Sequence, residues 1–590
     1  SQGEDSVGIS SGSNAVNDKD ATIQITGANS TGISVEENAT AVNRGTITLT
    51  STQNSKENYG MISAGGERAQ IDNDGIINLN GYDYAASKEV GYGMSIGDGR
   101  ANNNNTININ RMYGYGMAST EGTLTNNGTI NLTNGGYGIM GESGESFNNK
   151  DATITITGTP NMQNSYGMSM QDGTAKNFGQ IDVTGGSVNS ETYGISVNGG
   201  NGLNHGLINM HSDNAFGLFD EGDGEITNVA GGTINLYGNN SVGMQTTSGK
   251  AENFGTINIG VDNGTGAIVG GSGSTGMIAG DGATAINSGH INMNGNNAVG
   301  MTANGGTVIN DKSGTITLNG GNGTIFTTTN DGTAINNGDI VINAEDYTLF
   351  STTDSDEGNF QNNGNVTVGA GGSKVIIAGD GNNITNSGKI DLNGKDGFII
   401  YTKGNGSVTN NGTLEIGEDS SNSHGIYMSE TATGTVLNDL KGIINVKGTN
   451  SSGMTLASDT DTVSITNKGK INVDGTGSKG ITSTKGGTVN NEGTITIADG
   501  SAAIEAAGGT VNNKAGASIT TEKDSSADGI NISSNANSGA TVTNDGTITI
   551  NGSGSAINSS ISATSPAETS NTINNNGVIT ITGNLSLIHI

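Results

Sequence analysis

Two short runs carry enough carboxylates to hold a cation. Asp220-Glu221-Gly222-Asp223-Gly224-Glu225 and Asp354-Ser355-Asp356-Glu357 set acids around glycine and serine, the oxygen-rich, turning environment that calcium prefers. Asp220, Asp223, Glu225, Asp354 and Asp356 are therefore the candidate calcium ligands. Neither run has EF-hand spacing or the Gly-Gly-x-Gly-x-Asp nonapeptide, so solvated loop acids are the competing reading, and no other cofactor is implied. Zinc is not expected. The chain has no cysteine, and His205, His211, His290, His424 and His589 form no His-Glu-x-x-His pair.

Covalent hydrolysis has one faint signal, Gly141-Glu142-Ser143-Gly144. It falls between strands, with no neighbouring histidine and no strand-turn-helix context to expose a nucleophile. Polysaccharide cleavage on a β-helix needs adjacent carboxylates and a basic residue on one groove; read along the chain, the acids are scattered and the bases sparse. The residues thus predict no enzyme, with a β-helical polysaccharide lyase or hydrolase as the alternative. An aromatic row is better ordered. Tyr92, Tyr115, Tyr137, Tyr166 and Tyr193 precede a Gly-aliphatic pair in successive repeats, and Phe216 continues the row. Stacked one repeat apart, the five rings make a stripe about 24 Å long, offering apolar area and hydroxyls to a protein or glycan. The plainer reading is that the rings shield a corner from water.

The elements that position these residues come from a repeat. Asn-x-Gly-x-Ile recurs along the chain, as in Asn43-Arg44-Gly45-Thr46-Ile47, Asn177-Phe178-Gly179-Gln180-Ile181 and Asn253-Phe254-Gly255-Thr256-Ile257, and again from Asn386, Asn467 and Asn544. Each copy leads into a period-two alternation such as Thr494-Ile495-Thr496-Ile497, which is a strand and not a helix. Anchors at Ile291, Ile316, Ile340, Val366, Ile390, Leu414, Ile443, Ile471 and Ile495 lie 25, 24, 26, 24, 24, 29, 28 and 24 residues apart. A coil of 24 residues or more fits three short strands and three turns. The second strand precedes the signature, as in Thr488-Val489; the third centres on Gly-aliphatic pairs such as Gly93-Met94 and Gly116-Met117. Stacked coils pair equivalent strands in parallel, which predicts a right-handed, three-sheet parallel β-helix. Asn and Gly tolerate left-handed backbone, so Asn43, Asn177, Asn253, Asn386, Asn467 and Asn544 are assigned to corners, where stacked amides can bond in a ladder.

The repeat extends over 1–584 as one continuous segment with a loop excursion at 261–275, and 585–590 break the texture as an irregular or artefactual tail. A chain with 101 glycines and only 31% hydrophobic residues among 590 still folds on this plan, because each coil buries its inner face against its neighbours. The net charge of −32, from 55 acidic and 23 basic residues, excludes nucleic acid as a partner and disfavours anionic headgroups. The absence of cysteine excludes disulfides, and no apolar run approaches about 20 residues.

The texture of Asn126-Asn127-Gly128-Thr129-Ile130 with Tyr137-Gly138-Ile139, of Asn410-Asn411-Gly412-Thr413-Leu414 and of Asn491-Glu492-Gly493-Thr494-Ile495 resembles the passenger regions of type V autotransporter adhesins. Among these it is most similar to the very large outer-membrane autotransporters of fusobacteria. The resemblance covers the whole chain. It implies a secreted β-helical passenger on a bacterial cell surface, anchored to the outer membrane only by a C-terminal β-barrel that the sequence does not contain. The expected partners are then a cell-surface protein or glycan of another bacterium or a host cell, and the expected role is attachment; a non-binding stalk presenting a distal tip is the further alternative.

Overall fold

The computed structural model describes residues 4–583 apart from 53–54, 83–88, 159–163, 186–190, 353–357, 370–373, 459–461, 536–538 and 562–568. The fold is an all-β, three-sheet parallel β-solenoid of about 20 turns, each of about 26 residues. Two compact units divide the chain, residues 1–301 and 302–590. Among the described residues no helix is long and apolar enough to cross a membrane.

In the first unit one coil runs Val90–Ile96, Arg100–Asn103 and Thr106–Asn110. The next coil, Tyr113–Ser119, Thr123–Asn126 and Thr129–Leu132, pairs with it strand for strand in parallel. Tyr92 lies against Tyr115, Met94 against Met117, Asn103 against Asn126 and Ile107 against Ile130. Inward side chains such as Met94, Ile107 and Ile109 are fully buried, so each coil gains roughly 1.5–3 kcal/mol per large aliphatic taken from water. The second unit repeats the plan: Phe398–Thr402, Ser407–Asn410 and Thr413–Ile416 pair with His424–Met428, Val436–Asn438 and Ile443–Val446.

One anchor moves. Leu414 pairs with Ile444, not Ile443; Ile444 is buried while Ile443 takes the half-exposed position. Asn438 and Gly442 stand four residues apart where Asn410 and Gly412 stand two, and the Gly442 N–H donates to the Asp439 carbonyl at 2.7 Å. The extension is two residues, so Gly442-Ile443-Ile444 keeps the spacing of Gly412-Thr413-Leu414, and the alternation of strand side chains puts Ile444 in the core and Ile443 at the surface.

The corners also work differently from the expectation. Asn43, Asn177, Asn253, Asn386, Asn467 and Asn544 end the second strands fully buried, and neither they nor the glycines two residues on adopt positive φ. Each amide is used across coils. Nδ2 donates to Oδ1 of the asparagine one coil further along, at 2.7–2.8 Å from Asn17 to Asn287 in the first unit. The ladder from Asn310 to Asn575 in the second unit has the same form, at 2.6–2.8 Å. The glycine is required by close approach: a Cβ on Gly75 would lie 2.0 Å from the Gly45 carbonyl oxygen. Left-handed backbone sits instead at the turn into the Gly-aliphatic strand, at Asn29, Asn214, Asn240 and Asn297 in the first unit and Asp396, Asn422 and Asn450 in the second.

Within 261–275, Val261–Asp262 pair antiparallel with Ile268–Val269. Ile268 and Val269 are exposed.

Candidate functional site

The tyrosine row forms on the outer face of the Gly-aliphatic sheet in the first unit. Tyr92, Tyr115, Tyr137, Tyr166 and Tyr193 stack in parallel with centroids 4.5–4.9 Å apart. Tyr59 extends the stack at one end, 4.8 Å from Tyr92, and Phe216 at the other, 5.2 Å from Tyr193. Tyr59 was missed in the sequence, although Tyr59-Gly60-Met61 repeats the same motif. Tyr113 packs edge-on against Tyr115 and Tyr137, and its hydroxyl donates to the Asn164 carbonyl at 3.1 Å. Burial pushes the Tyr92 phenol up to about 12 and those of Tyr59, Tyr137 and Tyr193 higher. Stacking occupies the ring faces, so the column presents edges and hydroxyls outward. At its ends the Tyr59 hydroxyl donates to Glu57 at 2.8 Å and that of Tyr193 to Glu191.

The candidate calcium ligands separate. Asp220 ends its strand fully buried, accepting from Thr246 Oγ1 at 3.0 Å and from the Gly222 N–H at 3.2 Å; burial raises its pKa. Asp223 is exposed in the turn, and Glu225 begins the next strand on another sheet. Asp354 and Asp356 lie outside the described residues, as do residues 585–590. Among the described residues no group of three or more His, Asp or Glu gathers to hold a metal. Ser143 donates its hydroxyl to the Thr120 carbonyl at 3.1 Å.

Coil stacking gathers charges that are far apart in the sequence. On the second sheet of the first unit Glu225 pairs with Lys250 and Thr227 with Glu252. Lys250 Nζ lies 2.8 Å from Glu252 and 4.0 Å from Glu225. A hydrogen bond to Glu252 pushes the Glu225 carboxyl up, and the same Glu252 raises Lys250. Further along this face Lys176 sits 2.9 Å from Glu145 and 5.0 Å above the Phe147 ring. In the second unit, on the third sheet, Lys389 lies 3.1 Å from Asp391 and 3.3 Å from Glu415, and Lys447 lies 2.7 Å from Glu415. There Lys447 holds Glu415 below the usual carboxylate range, so it has no proton to give. The signal for both clusters was position within the repeat, since Glu225 and Glu252 stand one coil apart.

The histidines disperse. His205 stacks on Phe178 at 4.5 Å and His211 on Tyr237 at 4.3 Å. His290 is exposed. His424 stacks on Phe398 at 5.2 Å, and its Nδ1 meets Thr455 Oγ1 at 2.8 Å. Burial pushes its imidazole down to about 4. His589 lies outside the described residues.

These features define a three-sheet parallel β-solenoid whose outer faces carry an aromatic column and, separately, a carboxyl pair with a lysine. The chain belongs to the family of the BigA third pectate lyase-like domain, whose model matches residues 1–140, 215–348 and 356–587. Among solved structures it is similar to the crystal structure of a TibC-catalysed hyper-glycosylated TibA fragment, with 14% identity over 59% of this chain and 98% of that chain and a TM-score of 0.28. No curated protein matches it. The pectate lyase-like family overturns the expectation that the chain has no enzymatic character; the acids that read as scattered in the sequence meet across coils.

Proposed function

We propose that the protein hydrolyses a neutral polysaccharide on the outer face of the second sheet of its first unit. The observation that carries this reading is the contact of Glu225, Glu252 and Lys250. The hydrogen bond to Glu252 raises the Glu225 pKa, which suits Glu225 to the acid's part in a carboxyl pair. Glu225, in its protonated form, gives its proton to the glycosidic oxygen, and the C–O bond to the leaving sugar breaks as that proton is taken up. Glu252, 2.8 Å from Lys250, takes a proton from the water whose oxygen bonds to the anomeric carbon. Both side chains rise from an open sheet face, so a sugar entering between them replaces their mutual hydrogen bond and parts the carboxyls to the roughly 6.5–9.5 Å that the attacking water needs.

Hydrolysis is favoured over elimination on two grounds. Elimination needs an anionic uronate substrate, which a protein of net charge −32 repels. It also needs a neutral amine or another base at the sugar, and Glu252 holds Lys250 as ammonium. The test is release of reducing ends from hydroxyethyl cellulose, xylan and galactomannan. Glu252→Gln and Glu225→Gln should each lower the rate by roughly 10²–10⁴. A wild-type protein that releases none from the three would end this reading, and unsaturated products from polygalacturonate would replace it with elimination.

A second reading is favoured by the tyrosine column: contact with a surface protein or glycan of another bacterium or a host cell, with the chain displayed at a bacterial surface. Repeated phenol edges one coil apart suit many weak contacts whose avidity grows with number. Replacing Tyr92, Tyr115, Tyr137, Tyr166 and Tyr193 by alanine should abolish cell binding on this reading, and unchanged binding would assign the column to a stalk.

A further inference from the structure

We infer that the corner column Phe178, His205, Val229 and Phe254 is the platform on which a neutral polysaccharide lies beside Glu225 and Glu252. The inference deepens the hydrolytic reading and takes its purpose from it.

The column is the residue that follows each ladder asparagine. In the preceding coils that position holds Asn104, Asn127 and Asn149, linked amide to amide at 2.7 and 2.6 Å. Over the next four coils it becomes Phe178, His205, Val229 and Phe254, while the buried ladder beneath continues without change at 2.8 Å from Asn177 to Asn253. The turn therefore does not need rings; a polar amide serves it equally well one coil away. Yet Phe178 is 38% and Phe254 44% exposed, in a chain with only nine phenylalanines. Exposed apolar residues grouped in this way mark an interaction site.

Their location identifies the ligand class. Phe254 follows the strand that carries Lys250 and Glu252, Val229 follows the strand that carries Glu225, and Phe178 follows the strand that carries Lys176. The apolar column thus borders the charged face coil by coil. His205 stacks on Phe178 with an interplanar angle of 14°, and burial lowers its pKa, which favours the uncharged ring. An apolar edge beside carboxyls and an ammonium matches a sugar chain, whose C–H groups pack along the apolar ring edges while its hydroxyls bond to charged groups. The column spans three coil-to-coil steps, about 14 Å, room for a short run of sugar residues along the stack. An anionic chain is disfavoured by the same net charge that disfavours elimination.

The test uses the full chain carrying Glu252→Gln, so that sugar is bound without turnover. Affinity electrophoresis in hydroxyethyl cellulose, xylan and galactomannan should retard this protein in at least one of the three, with polygalacturonate giving no retardation. Adding Phe178→Ala and Phe254→Ala should weaken retention by about tenfold or more, and Phe254→Trp should restore it in the single Phe254 background. Both phenylalanines are exposed, so loss of fold is checked by circular dichroism of the same samples. Retention unchanged by the double substitution, or no retention in any of the three, overturns the platform. Retention through the column with no hydrolysis by wild type leaves the platform standing and ends the hydrolytic reading. Hydrolysis with KM unaltered by the double substitution does the reverse.

Discussion

The Nδ2 of Asn228 donates to Oδ1 of Asn253 at 2.8 Å, and both side chains are completely buried. Asn253 in turn donates to Asn287 at 2.7 Å and to the His290 carbonyl at 3.3 Å. Asn253 thus bonds to the coil before it and to the coil after it, so neither end of its buried amide lacks a partner.

Asn253→Ala breaks this chain in both directions. It removes the buried Asn228–Asn253 and Asn253–Asn287 hydrogen bonds, at a cost of about 1–3 kcal/mol for each. Urea denaturation should report that loss, and hydrogen exchange should locate it in the coils on either side of Asn253. A change below about 0.5 kcal/mol would mean that the ladder adds no stability.

The tyrosine column should resist alkali. Burial raises the Tyr92 phenol to about 12 from 10.0, so between those pH values the folded chain holds a proton that the unfolded chain has lost. Its stabilising contribution is complete below pH 10 and is lost as the pH rises toward 12. Ultraviolet titration should show a class of phenols ionising well above free tyrosine, and Tyr137→Ala should shrink that class. The same substitution removes stacking on Tyr115 at 4.9 Å and on Tyr166 at 4.5 Å, costing about 0.5–1.5 kcal/mol per pair. Ordinary titration of all phenols near 10 would refute the buried stack.

His424 works with the opposite sign. Its imidazole is pushed down to about 4 from 6.5, so in that window the unfolded chain binds the extra proton. Stability from this group is present above pH 6.5 and is lost as the pH falls toward 4. The difference in melting temperature between wild type and His424→Phe should change across this window and be flat above it. An imidazole resonance titrating near 6.5 would contradict the packing of His424 between Phe398 and Tyr427.

Much of this architecture is legible in the sequence because its cause is local and repeated. Alternation in Thr46-Ile47-Thr48-Leu49-Thr50 sets the inward face of one strand, and its recurrence every coil dictates that equivalent strands pair. The asparagine ladder followed from the same logic. What the sequence misplaced depends on contacts between coils. Gly75 is small because the Gly45 carbonyl passes 2.0 Å from where its Cβ would be, an approach that no propensity scale records. Ile443 reads as an inward residue when two isoleucines adjoin, and parallel pairing of Leu414 with Ile444 puts its neighbour in the core.

The functional residues divide in the same way. The tyrosine row was visible as a motif, since identical neighbours share one short pattern. Glu225, Lys250 and Glu252 were not, because a carboxylate and a lysine in successive coils carry no mark of being neighbours until parallel pairing sets Glu225 against Lys250. Sequence alone determined the coil, its core and its amide spine, through periodicities within a few residues. Only the tertiary structure decided which charges meet and which rings stay exposed, because those relations are fixed by turn lengths that vary from coil to coil and set the stacking register.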